Sequence, residues 1–313
     1  MATTDVPAGA VRRPAAPRER RPTGPPGEPR AVGYLYIAPA LLVFGAFLLW
    51  PIIRAVWLSF YEWDGLGLGT FVGIDNYREV LTDPELRAPF GHALVLVVFF
   101  SFLPVTVGMA LAAMMSRTPL RGLGFFRTML FLPQVVAMVV VGIAWQTLYQ
   151  PEGFVNDLLR AVGLDGFTRA WLGEPSWALV AVGFVGTWFT SGLCLVLFLA
   201  GLAKVPRELY EAARLDGAGP VQEFFAVSLP ALRGELAVAL TLTIIAALRT
   251  FDLVYVMTSG GPGGRTRVPA YEVYDRVFVK SEVGTGMTVA VLLTAVILLV
   301  TVAINRLAEG ADE

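Results

Sequence analysis

The chain has 313 residues, 56% of them hydrophobic and 16% charged. Ordinary soluble domains carry about 25% charged residues, so this composition argues against one and leaves room for several membrane spans of roughly 20 apolar residues each. A formal net charge of −1 gives no support for nucleic-acid binding, and a single cysteine, Cys194, excludes an internal disulfide or a cysteine cluster.

Residues 1–30 are rich in Pro, Ala and Arg and show no apolar periodicity, which reads as a disordered tail. The apolar run that follows is too long for a signal-peptide core and lacks a convincing cleavage site, so it is expected to be an uncleaved first span. Six spans are predicted, at about 34–53, 93–115, 128–149, 177–202, 236–257 and 286–305. Pro39, Pro104 and Pro133 fall inside or near them, where neighbouring helices can satisfy the freed carbonyls. The expected fold is an all-α integral membrane domain of six helices over residues 31–308, with a short tail at 309–313. Arg12, Arg13, Arg18, Arg20, Arg21 and Arg30 lie beside span one, and the positive-inside rule then puts both termini in the cytoplasm.

Between spans four and five lies a polar island within 203–230, RELYEAARLDGAGPVQEFFAVSLP from residue 207. Pro206 suits the first turn of a helix, and Glu208 and Glu211 lie early in it, where the dipole favours negative charge. Leu209, Ala212 and Ala213 share one small face. Gly217 is placed as a left-handed C-cap, Pro220 opens a second helix over 221–228, and Leu229-Pro230 breaks the pattern. An amphipathic loop on the membrane surface would share these features.

The particular residues go further. Glu211, Ala212, Ala213, Gly217, Leu229 and Pro230, at these spacings, resemble the EAA loop of permease subunits in binding-protein-dependent ABC importers; Val227 stands where that family usually has Ile. The string LYEAARLDGAG (209–219) is similar to the sugar-permease branch, of the maltose and glycerol-phosphate type. FVGIDNY (71–77), RTMLFLP (127–133), Trp171-Leu172-Gly173, FDLVY (251–255) and SGGPG (259–263) extend the resemblance from about residue 33 to 307. It implies a complex in a bacterial or archaeal cytoplasmic membrane. That complex holds a second related permease, two cytoplasmic ATPase subunits and an extracytoplasmic solute-binding protein. The implied solute is a sugar, polyol or sugar phosphate. The six EAA residues would couple to the ATPases, which hydrolyse the ATP, so this chain is expected to be no enzyme and to hold no cofactor or metal.

Other motifs offer little chemistry. Gly264-Arg265-Thr266 is a poor match to the end of a phosphate-binding loop, which needs Lys where Arg stands. His92 is the only histidine and has no metal-ligand or triad company in the sequence. Arg249 and Asp252 are ionisable residues inside predicted span five. At i, i+3 they would share a face, either as an ion pair that orients the span or as part of the solute path. Trp188, with Thr187 and Ser191, forms a polar-aromatic patch midway along span four, suited to sugar stacking or to an interfacial belt. A secondary transporter is the alternative, but it would carry broken helices and internal repeats, and neither is evident in the sequence.

Overall fold

The computed structural model of the chain describes residues 30–117 and 122–309. The predicted tail lies outside these apart from Arg30, as do residues 310–313. By contact the chain divides into two units, Met1–Ile52 and Ile53–Glu313. In the first, helix Arg30–Phe44 carries Pro39 within it and passes into a π-turn over Gly45–Leu49. The second holds the helices from Asp75–Thr82 onward and a short antiparallel hairpin, Tyr61–Glu62 with Thr70–Phe71.

Four helices are long and apolar enough to cross a membrane: Tyr34–Leu58, Pro84–Ser116, Ala178–Leu202 and Val283–Leu307. Two bent pairs bring the number to six if each pair is one span. Span two is the longest, at 33 residues, and starts well before its predicted limit. Asp83 explains the early start: its Oδ1 accepts the Glu85 N–H at 2.9 Å, and Pro84 follows in the first turn.

Spans three and five depart from the continuous helices expected. Span three is Leu123–Val135 and Met138–Leu148, bent by 101°. Pro133 has no N–H to return to the preceding turn. The chain tightens into a 3-10 segment, Leu132–Val135, and Val136 and Ala137 are extended. Span five is Arg233–Leu248, entered through a 71° bend from the island's second helix, Pro220–Ala231, and it stops at Leu248. Arg249, Thr250 and Phe251 interrupt it before a new helix, Asp252–Thr258. Broken helices are therefore present, against the sequence reading.

The core forms where spans two and four cross. Gly186 lies against the Phe100 ring so closely that a Cβ there would overlap it, an approach that membrane helices make through small residues. Span two carries a π-turn over Val98–Phe102, followed by Pro104. Together these leave the Phe99 and Phe100 carbonyls short of backbone donors. Span four supplies them: Thr187 Oγ1 donates to Phe99 O at 2.6 Å, and Thr190 Oγ1 to Phe100 O at 3.2 Å. The freed carbonyls are satisfied by a neighbouring helix, as membrane burial demands.

On the other side of these spans, FVGIDNY works as a tie. Asn76 Nδ2 donates to Ser59 O at 2.9 Å and Tyr61 O at 3.0 Å, and Thr288 Oγ1 of span six donates to the same Ser59 O. Asn156 does similar work in 150–176, donating to Arg169 O and accepting from Trp171 Nε1, each at 2.9 Å. His92 Nδ1 lies 2.8 Å from Arg267 O, a structural contact.

Candidate functional site

A cavity of about 180 Å³ opens among spans two, three, four and five. Both broken spans contribute their breaks to it. Span three brings Gln134 from its 3-10 segment, and span five brings Arg249, Thr250, Phe251 and Asp252. Spans four and five add Thr190 and Thr243, whose hydroxyl meets that of Ser101 at 2.6 Å. Gln134 Oε1 is buried and accepts no hydrogen bond from the described residues. A larger recess of about 570 Å³ is lined by Glu62, Asp64, Asp75, Glu79 and Glu282 and takes no residue from the broken spans.

Arg249 and Asp252 reach the cavity, but not as the pair on one face that their spacing predicts. The helix ends between them, and among the described residues no ion pair joins them. Arg249 instead closes the C-terminal end of Arg233–Leu248, and Asp252 opens the next helix. Each charge sits at the helix end whose dipole favours it, which offsets part of the cost of an ionisable group inside a span.

The span-four patch is placed differently. Phe189, Thr190 and Leu193 line the cavity; Trp188, Thr187 and Ser191 do not. Trp188 is 43% exposed and meets Trp145 edge-on at 5.5 Å. Thr187 is committed to Phe99, and Ser191 Oγ donates to Thr187 O at 2.6 Å within its own helix. Sequence reasoning missed Gln134, Thr190 and Thr243. Of these, Gln134 carried a signal, as a polar residue next to a proline inside an apolar run.

The polar island forms two helices. Arg207–Leu215 follows Pro206, and Gly217 has φ +83°. Gly217 N–H bonds Arg214 O at 3.0 Å and Ala218 N–H bonds Ala213 O at 2.9 Å, which is a Schellman closure. Gly219 N–H then donates to Gln222 Oε1 at 2.9 Å as Pro220–Glu223 begins. That helix passes through a π-turn, Phe224–Ser228, into Leu229–Ala231. Glu211, Ala212, Gly217 and Pro230 are exposed; Ala213 and Leu229 are half-buried. Leu229 packs on a core with Phe198 and Leu202. Arg214 Nε donates to Glu223 Oε1 at 2.8 Å, and this hydrogen bond, with the carboxylate charge, raises the guanidinium pKa above its ordinary value. Leu209, Leu215, Val221 and Phe225 stand exposed, an apolar surface on an otherwise polar loop.

Comparison with known proteins gives consistent findings. Residues 34–310 match the family described as binding-protein-dependent transport system inner membrane component. The probable ABC transporter permease protein YurN of Bacillus subtilis is 37% identical over 279 residues, covering 88% of this chain and 94% of that protein. The diacetylchitobiose uptake system permease protein NgcF of Streptomyces coelicolor is 33% identical over 292 residues, covering 88% and 83%. Among solved structures, a bacterial alginate ABC transporter in complex with an alginate pentasaccharide-bound periplasmic protein superposes with TM-score 0.75. It is 20% identical and covers 89% of this chain and 94% of that one, a likeness of fold.

Proposed function

The chain belongs to the family of inner-membrane components of binding-protein-dependent transport systems, and on that premise we propose that it is the membrane-spanning subunit of an ATP-driven importer for a sugar-class solute. The observation that carries this reading is the island 207–230, an ordered two-helix loop that presents Glu211 and Ala212 at the base of the broken span. Two ATPase subunits dock on this chain and on a second, related permease, and their closure displaces helix Arg207–Leu215. A solute-binding protein delivers a sugar, polyol or sugar phosphate from outside. Both termini and the island face the cytoplasm.

The solute passes through the cavity at the breaks. Broken helices expose backbone and side-chain polar groups at depth, and Gln134, Arg249 and Asp252 offer an acceptor, a cation and an anion to hydroxyls or charged substituents. Binding there must differ between the outward and inward states, or solute could not bias them. Broken spans also suit a secondary transporter, but that class leaves the island without a purpose. The test is purification in mild detergent: an ATPase subunit is expected to accompany the wild-type chain and to be lost or uncoupled with Glu211→Lys. Full transport by a Glu211→Lys complex would reduce the island to a surface loop.

A further inference from the structure

Two side-chain ties join helix Arg207–Leu215 to the segment that leads into span five. Arg214 Nε meets Glu223 Oε1 at 2.8 Å, and the Tyr210 and Ser228 hydroxyls are 3.0 Å apart. Tyr210 and Arg214 are i, i+4, so one face of the helix carries both ties, while Glu211 and Ala212 remain exposed. The receiving ends are anchored. The Glu223 side chain is 5% exposed and Ser228 is buried. The same segment continues to Leu229, packed on the Phe198 core, and to Leu232, which lies against Gly201 of span four. Burying a carboxylate is costly unless it is paired, and a loop that merely rested on the membrane surface would have no use for one.

We propose that Arg214 and Glu223 are positioning residues for energy coupling: their ion pair, with the Tyr210–Ser228 bond, makes helix Arg207–Leu215 and the base of span five one rigid body. A push on the helix is then delivered to span five and carried toward the break at Arg249–Phe251. Without the ties, the helix is held by the turns on either side, around Lys204–Pro206 and Gly217–Gly219, and displacement is absorbed there. The inference rests on the reading of the island as the ATPase docking place.

The test uses the full importer, reconstituted with its ATPases and binding protein. Arg214→Gln changes an exposed side chain, and Glu223→Gln keeps the buried shape. Both variants are expected to assemble in normal amount, keep the ATPases bound and leave the KM for solute unchanged. Maximal uptake should fall about tenfold, and ATP hydrolysed per solute should rise by a similar factor, within the usual range of coupling between sites. Arg214→Lys, which keeps the charge, should retain more uptake than Arg214→Gln. Wild-type uptake and wild-type ATP per solute in both Gln variants would overturn the clasp and leave docking intact. Loss of bound ATPase in the variants would also overturn it, since the residues would then serve docking. A wild-type chain that binds no ATPase would remove the docking reading and the clasp together.

Discussion

At Gly217 the backbone has φ +83°, and nothing lies within 4 Å of where a Cβ would stand. The cost of Gly217→Val is therefore conformational, on the order of 1 kcal/mol or more. The variant should reach the membrane at the wild-type level yet lose uptake, and Gly217→Asn should keep more, because Asn tolerates the left-handed region. Equal uptake by the two variants would show that the Schellman closure is dispensable. Thr187 invites the opposite test. Thr187→Val keeps the shape but orphans the Phe99 carbonyl inside the membrane, at about 1–3 kcal/mol. Thermal stability in detergent should fall while solute preference stays the same; a changed preference with full stability would return Thr187 to the solute path. The two helices of the island and the turn between them could be read from sequence because loop geometry is set locally, by a proline, a dipole and a left-handed glycine. The direction of Thr187 or Trp188 could not, because it depends on which neighbour meets each side of a helix that is apolar all round.

Breaks in spans three and five are the part of the fold that hydropathy hides. Each interruption is two or three residues long, so an apolar window of span length passes over it. The local marks were present: Pro133 followed by Gln134, and a cation and an anion three apart. Reading Arg249 and Asp252 as neighbours on one face of a continuous helix, as an ion pair or as part of the solute path, passed over a helix end and a helix start. The structure makes a distinct prediction. Arg249→Gln and Asp252→Asn should each raise the KM for solute, by about tenfold if one charged hydrogen bond to solute of about 1.5 kcal/mol is lost. Combining them should give no recovery, because neither charge neutralises the other. Recovery in the double variant, measured as uptake by assembled complexes, would restore the ion pair.

The apolar spans and the polar two-helix island between them were legible in the whole sequence, since composition and span length are properties a bilayer imposes directly. The orientation is tested in a Cys194→Ser background, where the sequence's one cysteine, buried against span two, is removed. A membrane-impermeant thiol reagent added outside intact cells should label Glu152→Cys and spare Asp216→Cys, both exposed positions; the reverse pattern would invert the protein and detach the island from any cytoplasmic ATPase. The most direct measurement is sugar uptake into liposomes that hold this chain, its partner permease and the ATPases. Uptake should require both ATP and the solute-loaded binding protein and should persist when ion gradients are collapsed. Uptake by this chain that ignores ATP and follows an ion gradient would contradict the account and make the protein a secondary transporter.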